Sequence, residues 1–393
     1  MDSQNHLNVY IDGMGRGGAE TLLAQLLPLL GPYFKEINIH SFNGSFELED
    51  KFSEHFIVYK HSMFSMIKHI LTDQNILYVN LAKCSLISFF VILLKNLFGK
   101  TSNFTIHLHT TLKFYNLKNK NLLKCFFNII YIFMLKIVFI NRACKFVVSS
   151  DQQKEEMIRL VKGRISCDSC LLIMPNTFSK DYIQFLKQTR INCSNGKTLQ
   201  KNKLVFFTLS RLISIKQIHW AIQAVYETAI SYPSIDVFIF VYGTGPEKDF
   251  LLNYINKLAP LPNFNAKLCG FIDTLATPLS MSDIYLFPSE LEGSPLTLAE
   301  AALSGICCIS NDCLNGPKFL SKYFPNIFLV SPPTLKNFIA TTLSKAREFI
   351  NDEQQHVEGF HNKNSFLPWP TLEQSAEVLS QFLVQTTFKD SDI

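Results

Sequence analysis

No aspartate or glutamate occurs between Gln74 and Ser150, although that stretch carries Lys83, Lys95, Lys100, Lys113, Lys118, Lys120, Lys124, Lys136, Arg142 and Lys145. Other absences narrow the field further. The chain has no low-complexity tract, and its 47% hydrophobic, 18% charged composition excludes a disordered or fibrous protein. Met1–His6 is polar and leads only into the short apolar run Leu7–Ile11, so a secretory leader is not expected and a cytoplasmic location is. The ten cysteines are scattered and read as reduced packing thiols. Cys167 and Cys170 form a C-x-x-C pair, but no second pair at zinc spacing follows, so no metal is expected. Leu122–Ile140 is nearly long enough to cross a bilayer, yet Lys124 and Lys136 interrupt it and it leads into an apolar strand, which favours a helix of the first lobe. Its basic, apolar character suits peripheral contact with an anionic membrane face, and equally a buried helix with solvated lysines.

What is present is a regular alternation. Leu7–Ile11, Ile37–Ser41, Ile76–Val79, Phe104–Leu108, Phe146–Ser149 and Leu171–Ile173 read as strands separated by helix-length segments. A second series follows at Leu204–Leu209, Asp236–Tyr242, Ala266–Cys269, Ile284–Phe287 and Ile306–Ser310. At 393 residues the chain suits two domains, and the alternation predicts two α/β units with parallel sheets covered on both faces. The polar segment Arg190–Lys203 is the candidate linker, giving domains 1–190 and 191–368. Residues 369–393 open with Pro-Trp-Pro-Thr around Trp369 and continue at helical spacing, which predicts a closing helix that packs back on the first domain.

The densest chemistry lies at Pro288–Gly305, PSELEGSPLTLAEAALSG. A strand feeds a turn carrying Glu292, Gly293, Ser294 and Pro295, then a helix opening at Leu296 and Thr297 and bearing Glu300. A helix start presents unpaired amides and a positive dipole end, suited to a diphosphate, with Ser294 to Thr297 as the expected donors. Glu292 is placed to accept from sugar hydroxyls and Glu300 from a ribose. Leu209–Lys216, LSRLISIK, adds Arg211 and Lys216 as cations for a diphosphate leaving group. Tyr242–Glu247, YGTGPE, is a further glycine-bearing strand end, and in an open parallel sheet such ends share one edge. Two other features stand apart. Gly13–Gly18, GMGRGG, satisfies a dinucleotide-binding pattern and admits an NAD(P)-dependent oxidoreductase, but His40 and Ser41 stand where that pattern wants an acidic residue. His107 and His109 share one side of a strand, both candidates for a ligand-facing position.

Together these motifs resemble the retaining glycosyltransferases of family 4, whose fold is the two-lobed GT-B type. The resemblance rests on Ser-Arg-Leu with Lys216 five residues on, Gly-Thr-Gly-Pro, Cys-Gly-Phe-Ile, PSELEGSPLTLAEAALSG, and Gly-Gly-Ala-Glu at Gly17–Glu20. It implies two Rossmann-like domains facing a central cleft. It implies that Arg211 and Lys216 hold the diphosphate, Glu292 the transferred sugar and Glu300 the ribose, with Gly270, Phe271 and Ile272 near the base. It favours His109 as an active-site residue, with His107 the runner-up, and it makes Gly17 the foremost contact of a close-approach loop. The implied activity is transfer of a hexose or N-acetylhexosamine from a nucleotide diphosphate sugar, UDP-linked by default, which serves as co-substrate with no cofactor and no metal. The acceptor would be a lipid-linked or surface glycan (lipopolysaccharide, capsule or an undecaprenyl-linked oligosaccharide) at the inner face of the cytoplasmic membrane, with no nucleic acid involved. A non-catalytic, membrane-associated GT-B subunit is the other reading of the same motifs. One departure stands out: the family's Pro-Asn-Gly-Val-Asp reads Pro175, Asn176, Thr177, Phe178, Ser179 in this chain.

Overall fold

Short apolar runs rich in β-branched and aromatic residues become strands, and the amphipathic segments between them become helices that cover the sheets. The computed structural model describes residues 6–11, 18–41, 50, 54–73, 75–80, 104–108, 129–130, 132–133, 136, 145–160, 170–196, 202–313, 315–351 and 368–384. The chain divides into two units, Met1–Thr177 with Pro370–Ile393, and Phe178–Trp369.

The first unit holds β1 (His6–Ile11), β2 (Glu36–Ser41), β3 (Ile57–Lys60), β4 (Ile76–Asn80), β5 (Phe104–Leu108), β6 (Lys145–Val148) and β7 (Leu171–Ile173). They form one sheet in the order β3-β2-β1-β4-β5-β6-β7, and every pairing is parallel. Its described helices include α1 (Gly18–Leu30), α2 (Met63–Thr72) and α3 (Asp151–Leu160).

The second unit begins with α4 (Lys180–Gly196) and continues through β8 (Lys203–Leu209), α5 (Ile218–Ser231), β9 (Asp236–Tyr242), α6 (Lys248–Lys257) and β10 (Phe264–Gly270). There follow α7 (Ala276–Met281), β11 (Ile284–Phe287), α8 (Leu296–Leu303), β12 (Cys307–Asn311), α9 (Gly316–Ser321), β13 (Ile327–Val330) and α10 (Leu335–Asn351). The sheet order is β10-β9-β8-β11-β12-β13, again all parallel. The last helix, α11 (Leu372–Val384), lies in the first unit. There Leu372, Ala376, Leu379 and Leu383 join Leu7, Val9, Ile11, Leu22 and Leu26 in one apolar core.

Two expectations change. The first unit ends at Thr177 rather than at residue 190, and much of the predicted linker is helix, because α4 runs to Gly196. The cause is packing: Phe178 and Leu186 are buried in the second unit's core beside Leu279, Leu298 and Ala302. Trp369 is also part of that core, against Phe319 and Phe324, so the return to the first unit starts at Pro370. Lys145, counted among the basic block's charges, is buried, and its Nζ donates to the carbonyls of Phe382 and Leu383 at 2.5 and 3.0 Å. It therefore fastens the end of α11, where the helix dipole favours a cation, although burial pulls its pKa down to about 8. Most of Leu122–Ile140 lies outside the described residues; Ile129 and Phe133 are helical and exposed.

Candidate active site

The loop leaving β8 is stitched to its neighbours on both sides. Ser210 N donates to Tyr242 O at 3.2 Å, Leu212 N to Thr244 O at 2.9 Å, and Glu247 N to Leu212 O at 3.0 Å. On the other side Glu290 N donates to Ile215 O at 2.9 Å. The glycines of Gly-Thr-Gly are what this stitching requires. Gly243 has φ +124°, and a Cβ there would lie 1.8 Å from Ser210 O; one on Gly245 would lie 2.3 Å from Leu212 O. Gly243 N also donates to Gly270 O at 2.7 Å, which brings the end of β10 to the same edge.

Arg211 stands exposed on this loop; its carbonyl accepts from Ile213 N at 3.0 Å, while its guanidinium has no hydrogen bond or ion pair to a described residue. Lys216 ends a 3-10 turn, Ser214–Lys216, and Gln217 after it takes a left-handed conformation (φ 47°) to start α5. The ammonium of Lys216 donates to Glu292 Oε1, and the two side chains are only 14% and 12% exposed. The cation expected to hold a diphosphate and the carboxylate expected to hold the sugar are thus partners of one another.

After β11, Glu292 forms a parallel β-bridge with Asn315. Asn315 has φ +83° and is 2% exposed, and a Cβ on Gly316 would lie 2.3 Å from Pro295 Cδ. The loop after β12 therefore supports the turn Gly293–Pro295. Sequence reasoning passed over it, though Asn315-Gly316-Pro317 is a turn signal. Helix α8 follows from its helix-forming run and ends at Gly305 (φ +82°), a residue free to adopt that conformation. Pro295 precedes it without a side-chain cap, and the first i→i−4 bond is Ala299 N to Pro295 O at 3.1 Å. The first-turn amides are therefore those of Leu296, Thr297 and Leu298, and Ser294 lies ahead of the helix. The fully buried Tyr285 fixes this start, its hydroxyl reaching Thr297 Oγ1 at 3.1 Å and Leu209 O at 3.3 Å.

Glu300, one turn into α8, receives a hydrogen bond from the Tyr182 hydroxyl of α4 at 2.9 Å. Burial lifts its carboxyl to about 7, and the tyrosine bond opposes that rise. Tyr182 is a neighbour the sequence did not disclose. Phe271 is 52% exposed beyond Gly270 (φ +78°), while Ile272 packs on the core.

Arg211, Lys216, Gly270, Glu292 and the α8 first turn accordingly meet at the carboxyl ends of β8, β10 and β11, the edge where parallel sheets bind ligands. His109 and Gly17 lie outside the described residues. His107 is buried in β5 and shares a 2.5 Å hydrogen bond with the Tyr78 hydroxyl. Of the Gly13–Gly18 loop only Gly18 is described; β2 closes on His40 and Ser41, and Glu36 pairs with His6 at its opposite end.

A model of the family glycosyl transferases group 1 matches residues 203–348. That segment is similar to the glycosyl transferases of this group over 146 of the 393 residues. An uncharacterized glycosyltransferase of Methanocaldococcus jannaschii is 31% identical over 146 residues, 37% of this chain and 35% of the relative, so the likeness spans about a third of that protein. Among solved structures, Anabaena HepE in complex with UDP and glucose matches with TM-score 0.66 at 16% identity, covering 97% of this chain and 99% of that one. The apo form of the lipopolysaccharide outer core galactosyltransferase WaaB matches with TM-score 0.62 at 15% identity, covering 96% and 99%. These neighbours are GT-B glycosyltransferases, and the fold of this chain is theirs. The matched segment begins at β8 and reaches α10, so it contains every charged residue of the site described above.

Proposed function

We propose that the chain is a family 4 enzyme that transfers a hexose or N-acetylhexosamine from a UDP-sugar to a lipid-linked or surface-glycan acceptor, with retention of configuration and without a metal. The observation that carries this reading is the cationic loop after β8 held against the turn before α8 by the Glu290–Ile215 backbone bond. Departure of a nucleoside diphosphate puts negative charge on phosphate oxygens. Arg211, Lys216 and the α8 amides would stabilise that charge electrostatically. Glu292, oriented by Lys216, would accept from hydroxyls of the transferred sugar, and Glu300 from the ribose, with Gly270–Ile272 beside the base. In this reading the acceptor hydroxyl attacks from the leaving-group side and a donor phosphate oxygen takes its proton, with His109 and Gly17 contacting sugar or acceptor. UDP is favoured by the UDP and glucose bound to HepE, and a surface-glycan acceptor by the lipopolysaccharide substrate in WaaB's name. No helix among the described residues is long and apolar enough to cross a membrane. The exposed Ile129 and Phe133 within a basic stretch suit peripheral contact with an anionic surface.

A panel of nucleotide sugars screened for donor hydrolysis tests the proposal. Nucleoside diphosphate release from one of them, strongly reduced in Arg211→Ala, is the expected result. Release from none, or undiminished release by Arg211→Ala, would remove the assigned role. Proton NMR of the first-formed product reads the stereochemistry, and an inverted anomeric centre would overturn retention.

A further inference from the structure

Strands of a parallel sheet are usually apolar on both faces, because helices cover both. β1 and β2 depart from this. Leu7, Val9, Ile37 and Ile39 enter the core with α1 and α11, whereas the alternate residues His6, Asn8 and Tyr10 align with Glu36, Asn38 and His40. β3 extends that polar face, because Tyr59 pairs with His40. Helix α2 lies over it, and between them is a cavity of about 530 Å³, within the range of roughly 300–1,000 Å³ usual for small-molecule sites. Its lining includes Glu36 and Asn75. Both stand at strand starts, whereas His40, Tyr59 and His61, which also line it, stand near or just past the strand ends, so the cavity runs along the polar face beneath α2.

The lining sets the ligand's chemistry. It includes the carboxylates Glu36 and Asp73, the amides Asn8, Asn38 and Asn75, imidazoles and Thr72, and it has no lysine, arginine or aliphatic side chain. Two carboxylates without a permanent cation disfavour phosphates and nucleotides. Each histidine already engages the scaffold through at least one nitrogen: His6 Nδ1 meets Glu36 Oε2 at 3.0 Å, leaving Oε1 out of that contact, His40 Nδ1 meets His61 Nε2 at 2.9 Å, His61 Nδ1 meets Ser65 Oγ at 2.9 Å, and His69 Nδ1 meets the Tyr10 hydroxyl at 2.9 Å. Asp73 accepts from Asn8 at 2.5 Å and from Tyr10 at 3.0 Å. Burial lowers the pKa of His40 and His61, which keeps them neutral at neutral pH. Tyr59 stacks on His40 with ring centroids 5.1 Å apart and stays 42% exposed, a ring surface on which the C–H face of a sugar can rest.

We infer that this pocket of the first unit is a second binding site, separate from the strand-end site of the second unit, that takes a neutral saccharide. Glu36 and Tyr59, four residues apart along the strand direction and so about 13 Å from each other, require a saccharide of two or more rings: Glu36, Asn75 and Thr72 bind hydroxyls at one end and Tyr59 supports a ring at the other. The inference does not depend on the donor chemistry proposed above.

Saturation-transfer NMR on the full chain tests it, with methyl glucoside, methyl galactoside, methyl N-acetylglucosaminide and lactose as probes, each with and without saturating UDP. At least one neutral sugar should bind in the presence of UDP. Its affinity should fall about tenfold in Glu36→Gln and in Tyr59→Ala, the loss of one contact to a charged group or of one ring platform. Unchanged thermal melting of both exposed-site variants would show that the fold is kept. Binding of no neutral sugar, binding that survives both substitutions, or displacement by UDP or inorganic phosphate would each overturn the assignment. Donor hydrolysis is read separately, so either proposal can fail alone.

Discussion

Glu300→Gln should make the second unit more stable at pH 8 and change it little at pH 4.5. Burial raises the Glu300 carboxyl from 4.5 to about 7 in the folded protein. Between those values the folded chain keeps a proton that the unfolded chain has released. Stability therefore falls as pH rises through that window and stays lower above it. At 1.36 kcal/mol for each pKa unit, the ionised carboxylate costs about 3 kcal/mol at pH 8. Glutamine keeps an acceptor for the Tyr182 hydroxyl, 2.9 Å from Glu300 in the wild type, and carries no charge. The gap in unfolding free energy between variant and wild type should thus widen by about 3 kcal/mol from pH 4.5 to pH 8. Urea denaturation followed by tryptophan fluorescence reads the right unit, because both tryptophans of the chain, Trp220 and Trp369, belong to it. A gap that stays flat across pH would mean that the carboxyl titrates as if in water, and the burial argument would be refuted.

Lys216→Met strands the Glu292 carboxylate at 12% exposure and should cost about 3 kcal/mol in urea unfolding. Adding Glu292→Gln should return most of that stability without restoring donor turnover; recovered turnover would show the pair to be structural only. Gly243→Ala places a Cβ 1.8 Å from a backbone oxygen and should lose at least about 2 kcal/mol. Gly270→Ala meets nothing within 4 Å and pays only for its φ of +78°, about 1 kcal/mol. Equal losses in thermal melts of the two would contradict the close approach of the strand-end loops.

The strand-and-helix alternation was legible because fully buried parallel strands are nearly continuous apolar runs: Phe206, Ile239, Leu286 and Ile309 all sit in cores that local patterning announces. Of the four edge strands, β7 and β10 were legible, and β3 and β13 were not. β3 is largely exposed and so lacks the apolar alternation of a half-buried strand, whereas β13, IFLV, is an apolar run that the sequence reading passed over. Only the end of α4, Arg190 to Gly196, reads as linker, because it is polar and includes Asn-Gly, while the buried anchors Phe178 and Leu186 lie upstream.

By itself the sequence determined the class of fold and the residue types available at the strand ends after β8, β9, β10 and β11, since these follow from periodicity and from turn chemistry within a few residues. Only the tertiary structure decided how those residues are used. It paired Lys216 with Glu292, put Tyr182 on Glu300, set Asn315 against Glu292 and buried Lys145 under the end of α11. These partners are far apart in sequence: 76 residues for Lys216–Glu292, 118 for Tyr182–Glu300 and 237 for Lys145 and the Phe382 carbonyl, with Glu292 and Asn315 nearer at 23. Contact at such separation is set by how sheets and helices pack, and charge placement depends on the burial that packing creates, which no local pattern encodes.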